Sequence, residues 1–173
     1  MGIEMSENLV LVHGRVVSGR GIAHRHLKDD ADQEEIKSII GKRIFPGTLN
    51  VLLHAPVQIS RSNAYDITSG RRYLCPASIS GIPVWIHRWP YKPLHVAELI
   101  STVRLRDELN IPDEGNIELL ISQNNLDPVP PLSKAIWAAC WKYREGLYYT
   151  SNTYHKNKHL GRLQRFFNAG QHP

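Results

Sequence analysis

Cysteine is scarce: the 173 residues hold two, Cys75 and Cys140, far apart and in no CxxC spacing. That excludes a disulfide framework, and a reduced, cytoplasmic compartment is the expected setting. No apolar run approaches the 18 residues of a membrane span, so no transmembrane helix is expected. The N-terminal Met1-Gly-Ile-Glu-Met-Ser-Glu-Asn8 carries acids where a secretory signal needs lysines and arginines, which argues against export. Apolar residues as a whole are not short. At 42% hydrophobic and 21% charged, a chain of 19.7 kDa can bury the core of one domain with an extension.

Familiar catalytic signatures are missing as well. Gly14-Arg-Val-Val-Ser-Gly19 has the glycine spacing of a Walker A loop but lacks the Lys-[Ser/Thr] that reaches phosphate and magnesium. Gly19-Arg-Gly21 begins a dinucleotide fingerprint, but His24 stands where the third glycine belongs. His155 and His159 are four apart as zinc ligands on a helix are, yet no glutamate follows His155 and no third ligand is evident. There is no Gly-x-Ser-x-Gly elbow and no cysteine in a nucleophile's context. What survives is a small-residue loop after a strand, where backbone N–H groups can approach an anion.

Charge is unevenly spread. Residues 1–122 are neutral, whereas residues 123–173 carry 7 Lys+Arg against Asp127 and Glu145, with 8 of the 14 aromatic residues. The two regimes meet at Asp127-Pro-Val-Pro-Pro131, so the expected division is a domain over 1–127 and a basic, aromatic-rich helical extension over 128–173. Within the first part, Leu9–Val17, Thr48–Leu53, Pro83–Trp89 and Asn116–Ile121 read as strands, with turn signals at Ser18-Gly19, Pro46-Gly47 and Asp113-Glu-Gly115. A helix is predicted over Asp32–Ile40, with Ile36, Ile39 and Ile40 on one face and Gly41 as its stop, and a shorter one over Val103–Leu109. Short strands without a βαβ rhythm make the fold mainly β, a small closed barrel rather than a doubly wound sheet. In the extension, Ser133 is expected to cap a helix over Lys134–Glu145 that ends at Gly146, with Ile136, Ala139, Cys140, Tyr143 and Leu147 on one side. Leu160, Leu163, Phe166 and Phe167 mark a second amphipathic stretch.

Phe45-Pro-Gly-Thr-Leu-Asn50 is the most specific segment. Thr48 and Asn50 are two apart on a strand, so a hydroxyl and an amide oxygen point to one face. Such a pair can ligate a hard cation, and magnesium takes few protein ligands and completes its octahedron with water and phosphates. The same pattern also suits a turn with two buried polar caps.

Three blocks in order resemble the archaeal CTP-dependent riboflavin kinases: Gly14-Arg-Val-Val-Ser-Gly-Arg-Gly21, then after a helical insert Phe45-Pro-Gly-Thr-Leu-Asn-Val51, then Glu98–Glu118 with its Leu-Arg helix start and acidic-glycine turn. The resemblance spans residues 9–121. It implies a six-stranded cradle-loop (RIFT-like) barrel and phosphoryl transfer from CTP to the ribityl hydroxyl of riboflavin, giving FMN and CDP. It further implies Thr48 and Asn50 as magnesium ligands. Arg20, Gly21, Ile22, Ala23, His24 and Arg25 look like the nucleotide-phosphate loop, Val103, Arg104, Leu105 and Arg106 like a second nucleotide-contacting segment, and Glu98 like a flavin-site residue. The chain departs from the family pattern at Ile22 and Ala23, in place of a glutamate and a glycine, and at Pro90, in place of a threonine. Three functions follow as expectations: a magnesium- and CTP-dependent kinase acting on riboflavin or another alcohol; a non-catalytic nucleotide- or flavin-binding barrel acting through its tail; and a nucleic-acid arm over 132–173, where basic and aromatic residues interleave. For that arm, a packed helical pair with a solvated basic face is the preferred account. The oligomeric state is not legible.

Overall fold

The computed structural model describes residues 8–19, 27–89, 92–144 and 148–149. Its elements are β1 (Leu9–Val17), α1 (Asp30–Ile40), β2 (Leu49–Leu53), β3 (Gln58–Ile59), β4 (Tyr65–Ile67), β5 (Arg72–Ile79), β6 (Ile82–Arg88), β7 (Val96–Ile100), α2 (Leu105–Leu109), β8 (Asn116–Ser122), β9 (Leu126–Asp127) and α3 (Pro131–Cys140). Pairing runs β5-β6-β7-β2-β1-β8, every neighbour antiparallel. The ring closes where β8 returns to β5, with Ser78 opposite Leu120 and Ile79 opposite Leu119. The result is the closed six-stranded barrel that the sequence led us to expect. β4 hangs on the outer edge of β5, and β3 with β9 makes a separate two-stranded ribbon. No helix among the described residues is long and apolar enough to cross a membrane.

Alternation fills the barrel. Val16, Leu49, Val51, Leu53, Ile86, Ala97, Leu99, Ile117, Leu119 and Ile121 pack together inside. Two smaller clusters lie outside the wall. In one, Ile36 of α1, with Ile39 and Ile40 against it, joins Leu27, Ile44, Ile67, Leu74 and Ile100. In the other, Val17, Leu52 and Val96 carry Tyr148 and Tyr149. β2 and β7 are therefore covered on both faces, which is unusual for antiparallel strands.

Helix α1 forms as its sequence dictates. The Asp29 carboxylate accepts from the Ala31 N–H, and Gly41 at φ 85° closes the helix, donating its N–H to Lys37 O. Buried Gln33 donates to Leu27 O and Ile44 O and accepts from the Ile44 N–H, which ties both ends of the insert to the helix. Arg72 on β5 meets Asp32 at 2.7 Å, locking the helix to the barrel.

The extension differs from its expectation. α3 begins at Pro131 and ends at Cys140, with no side-chain cap, and Ser133 lies inside it. Proline at the first helical position fixes φ and has no N–H to orphan, so the helix starts earlier than a serine cap would place it. Tyr143 and Ala139 face solvent. The half-buried positions are Ser133, Ile136, Trp137 and Cys140, with Trp141 buried just beyond. The expected stop at Gly146, Leu147 and the stretch from Leu160 to Phe167 lie outside the described residues.

Candidate functional site

Residues opposite one another in an antiparallel ladder share a face. Val17 stands opposite Asn50, Asn50 opposite Glu98, and Glu98 opposite His87. Their neighbours Val16, Val51, Leu99 and Ile86 point into the barrel, so this row lies on the outer wall. It is nonetheless buried: Asn50 is 9% exposed, Glu98 6% and His87 2%. Along β7, Val96 belongs to the tail cluster and Ile100 to the insert cluster, so Glu98 sits in a polar seam between them.

Thr48 Oγ1 lies 3.1 Å from Asn50 Oδ1 and donates to it. Two cis oxygens on an octahedral magnesium at about 2.1 Å stand about 3.0 Å apart, so the pair already has the spacing of one octahedral edge. Neutral hydroxyl and amide oxygens also suit a hard cation. The glycine ending the first motif has a specific task here, because a Cβ built on Gly19 would overlap the Asn50 amide nitrogen. A side chain there would push the Asn50 amide aside, so glycine lets the chain leaving β1 lie against it.

Glu98 is held as a carboxylate. Burial pushes its pKa up, but the Lys92 ammonium, with His87 beside it, outweighs that and brings the pKa down to about 2. Lys92 Nζ lies 2.7 Å from Glu98 Oε2, fully buried, and 3.7 Å from the centre of the Trp89 ring. Arg88 donates to the carbonyls of Val96, Lys92 and Pro93 at 2.9–3.1 Å, fixing the chain that delivers Lys92. His87 Nδ1 is 3.8 Å from Glu98 Oε2, too far for a hydrogen bond. Burial lowers the pKa of His87, helped by Lys92 and opposed by Glu98, which favours the neutral ring.

The arginine-bearing segment reaches the same place from the other side. Arg106 donates to Val17 O at 3.2 Å and pairs with Asp113 at 2.6 Å. Asp113 also accepts from Ser18 Oγ at 2.7 Å, and these partners hold its carboxyl below the usual range. The start of α2 is thus tethered beside Asn50. Leu105 buries in the barrel core, Val103 is exposed, and Arg104 faces solvent, paired with Asp107 at 3.1 Å. Arg20, Gly21, Ile22, Ala23, His24 and Arg25 lie outside the described residues, as do Pro90, Tyr91, His155 and His159. Among the described residues no group of three or more His, Cys, Asp or Glu could hold a metal. An open hollow of about 580 Å³ beside His13, His54 and Glu118 shares no residue with the row.

Sequence reasoning overlooked His87, Lys92 and Tyr149, whose hydroxyl lies 3.5 Å from Asn50 Oδ1. His87 alone carried a usable signal, a polar residue on the alternating stretch Pro83–Trp89 that reads as a strand.

A model of the CTP-dependent riboflavin kinase domain, described as domain of unknown function DUF120, matches residues 16–121. The riboflavin kinase of Ignicoccus hospitalis is 30% identical over 144 residues, covering 69% of this chain and 78% of that protein. That of Methanopyrus kandleri is 32% identical over 113 residues, covering 59% and 76%. That of Methanocella arvoryzae is 27% identical over 122 residues, covering 64% and 56%.

Proposed function

We infer function from a firm premise: this chain belongs to the CTP-dependent riboflavin kinase family and is an enzyme of the kinase class. Our reading is that it transfers the γ-phosphoryl group of CTP to the terminal ribityl hydroxyl of riboflavin, giving FMN and CDP, in the cytoplasm. The working domain in this reading is 1–127, with 128–173 as an extension.

The observation that carries it is the spacing of Thr48 Oγ1 and Asn50 Oδ1, 3.1 Å apart, in a row with Glu98 and beside the tether of Arg106. Phosphoryl transfer asks little covalent chemistry of the protein; positioning and charge neutralisation supply most of the rate. Thr48 and Asn50 would hold a magnesium ion, which when bound neutralises charge on the phosphates. Gly19 leaves space at the amide, and Arg106 fixes where the chain leaves β1. Glu98, ionised and held by Lys92, offers an acceptor for a donor group on the flavin. The seam between two apolar clusters keeps water from this strip, which strengthens each polar contact there. The acceptor oxygen bonds the γ-phosphorus as the bond from that phosphorus to the bridging oxygen breaks; CDP leaves with the bridging oxygen, and the hydroxyl proton passes to bulk water.

The test is to incubate the protein with riboflavin, magnesium and each of the four nucleoside triphosphates in turn, following the flavin by mass spectrometry. A gain of one phosphate, fastest with CTP, is expected. The double variant Thr48→Ala/Asn50→Ala is expected to lose turnover by at least 100-fold while melting within a few degrees of the parent. Absence of phosphorylated flavin with all four nucleotides would overturn the reading. Full activity of the double variant would overturn the ligand assignment.

A further inference from the structure

The family match ends at Ile121, but the structure around Asn50 does not. Beyond Asp127 the chain enters α3, and Trp141 buries against His95 with ring centroids 5.1 Å apart. Tyr148 and Tyr149 then pack on Val17, Leu52 and Val96, their rings edge to face at 4.9 Å. This places the Tyr149 hydroxyl 3.5 Å from Asn50 Oδ1.

We propose that Tyr149 is a positioning residue for the cation site, its hydroxyl holding the Asn50 amide oxygen in the orientation that receives a divalent ion. The proposal rests on the reading of Thr48 and Asn50 as ligands. An amide oxygen has two lone pairs, and here two hydroxyls point at it, those of Thr48 and Tyr149. For Thr48 to ligate, its oxygen must turn a lone pair to the ion, which ends its donation to Asn50 and frees one lone pair of Oδ1 for the same ion. Tyr149 can keep the other. The terminal torsion of asparagine is broad and nearly two-fold, so something must decide which end of the amide faces Thr48. The amide nitrogen lies against Gly19, which can accept either end. A hydroxyl that donates to oxygen favours one. Partners of metal ligands in this position commonly change affinity by 10–100-fold when removed. The residue comes from the extension, outside residues 16–121 that the family model matches.

Tyr149→Phe keeps the ring and its packing and removes only the hydroxyl. In the full chain, FMN formation would be titrated with Mg²⁺ at saturating CTP and riboflavin. In parallel, the gain in melting temperature would be measured with Mg²⁺ and CTP in the absence of flavin, an arm that needs no turnover. Tyr149→Phe is expected to raise half-saturating Mg²⁺ about tenfold, with a far smaller effect on kcat at saturation, and to shift the melting curve's Mg²⁺ dependence by the same factor. A merely structural role would lower the melting temperature at every Mg²⁺ concentration and leave half-saturation in place, which overturns the proposal. Asn50→Ala separates the two levels. If it loses the Mg²⁺ response while Tyr149→Phe superimposes on the parent, only the role of Tyr149 falls. If Asn50→Ala keeps the parent's response, the ligand reading fails and this inference fails with it.

Discussion

The two faces of β2 and β7 are equally hidden from water but built from different chemistry. Inward, Leu49, Val51, Ala97 and Leu99 pack into the apolar cluster that fills the barrel. Outward, Asn50 and Glu98 lie in a line with His87, with Lys92 closing on Glu98. The inner face can be stabilised by packing alone, at about 25 cal/mol per Å² of apolar surface removed from water. The outer face must offset desolvation with specific partners, and a pair of buried charges seldom does better than break even. Stability alone therefore gives a fold little reason to build such an outer strip, so its presence points to chemistry rather than stability.

The sharpest break of this contrast is Lys92→Met. Removing one partner of the buried pair strands the Glu98 charge, with an expected cost of about 3–5 kcal/mol in denaturant unfolding. Adding Glu98→Leu should recover much of that, because an apolar pair needs no counter-charge. Leu99→Ala on the inner face should cost about 2–5 kcal/mol with no second-site rescue by charge removal. If the double variant at 92 and 98 is no more stable than Lys92→Met alone, the two faces do not differ as described.

A smaller effect is read by pH. Glu98 ionises at about 2 in the folded chain, against an ordinary value of 4.5. The unfolded state therefore binds the proton first as pH falls, and stability present above about 4.5 is lost on the way down to about 2, by about 3 kcal/mol in all. The folded pKa of His87 is lowered by burial, so stability is present above its ordinary value of 6.5 and begins to be lost as pH falls through it. His87→Gln should flatten the loss that begins near pH 6.5 and, because His87 is among the groups that lower Glu98, shrink the loss between about 4.5 and about 2. Urea midpoints across this range check both, and an unaltered profile in His87→Gln would remove His87 from the coupled row.

How much of this was legible in the sequence follows from the same contrast. β1 was readable at its full extent, because β-branched runs bounded by turn residues report a strand directly. β7 was not, since Val96-Ala-Glu-Leu-Ile100 is covered on both faces and neither alternates. Thr48 and Asn50 were legible as a pair because strand period alone puts them on one face. Lys92 was not: it reaches Glu98 through a turn that Arg88 braces, and no local pattern encodes that path. Tyr149 lies 99 residues from Asn50, a contact that only the closed barrel and the returning tail create. The start of α3 was misplaced because Ser133 and Pro131 both signal a helix start, and proline prevailed.

The smallest effect separates two arginines two positions apart. Arg106 is tied to Val17 O and Asp113, whereas the side chain of Arg104 is 60% exposed and, among the described residues, pairs with Asp107, three residues on. An exposed pair of that kind contributes about 0–0.5 kcal/mol, so Arg104→Ala should leave unfolding within that margin. Its guanidinium is not committed to holding the fold, which leaves it available to a phosphate. If Arg104 serves the nucleotide, Arg104→Ala should raise the KM for CTP several-fold at unaltered stability. Arg106→Ala should instead lower stability and raise KM together, because the Ser18–Asp113 contact loses its brace. Equal effects of the two variants on stability would show that the tether beside Asn50 is no tighter than a surface pair.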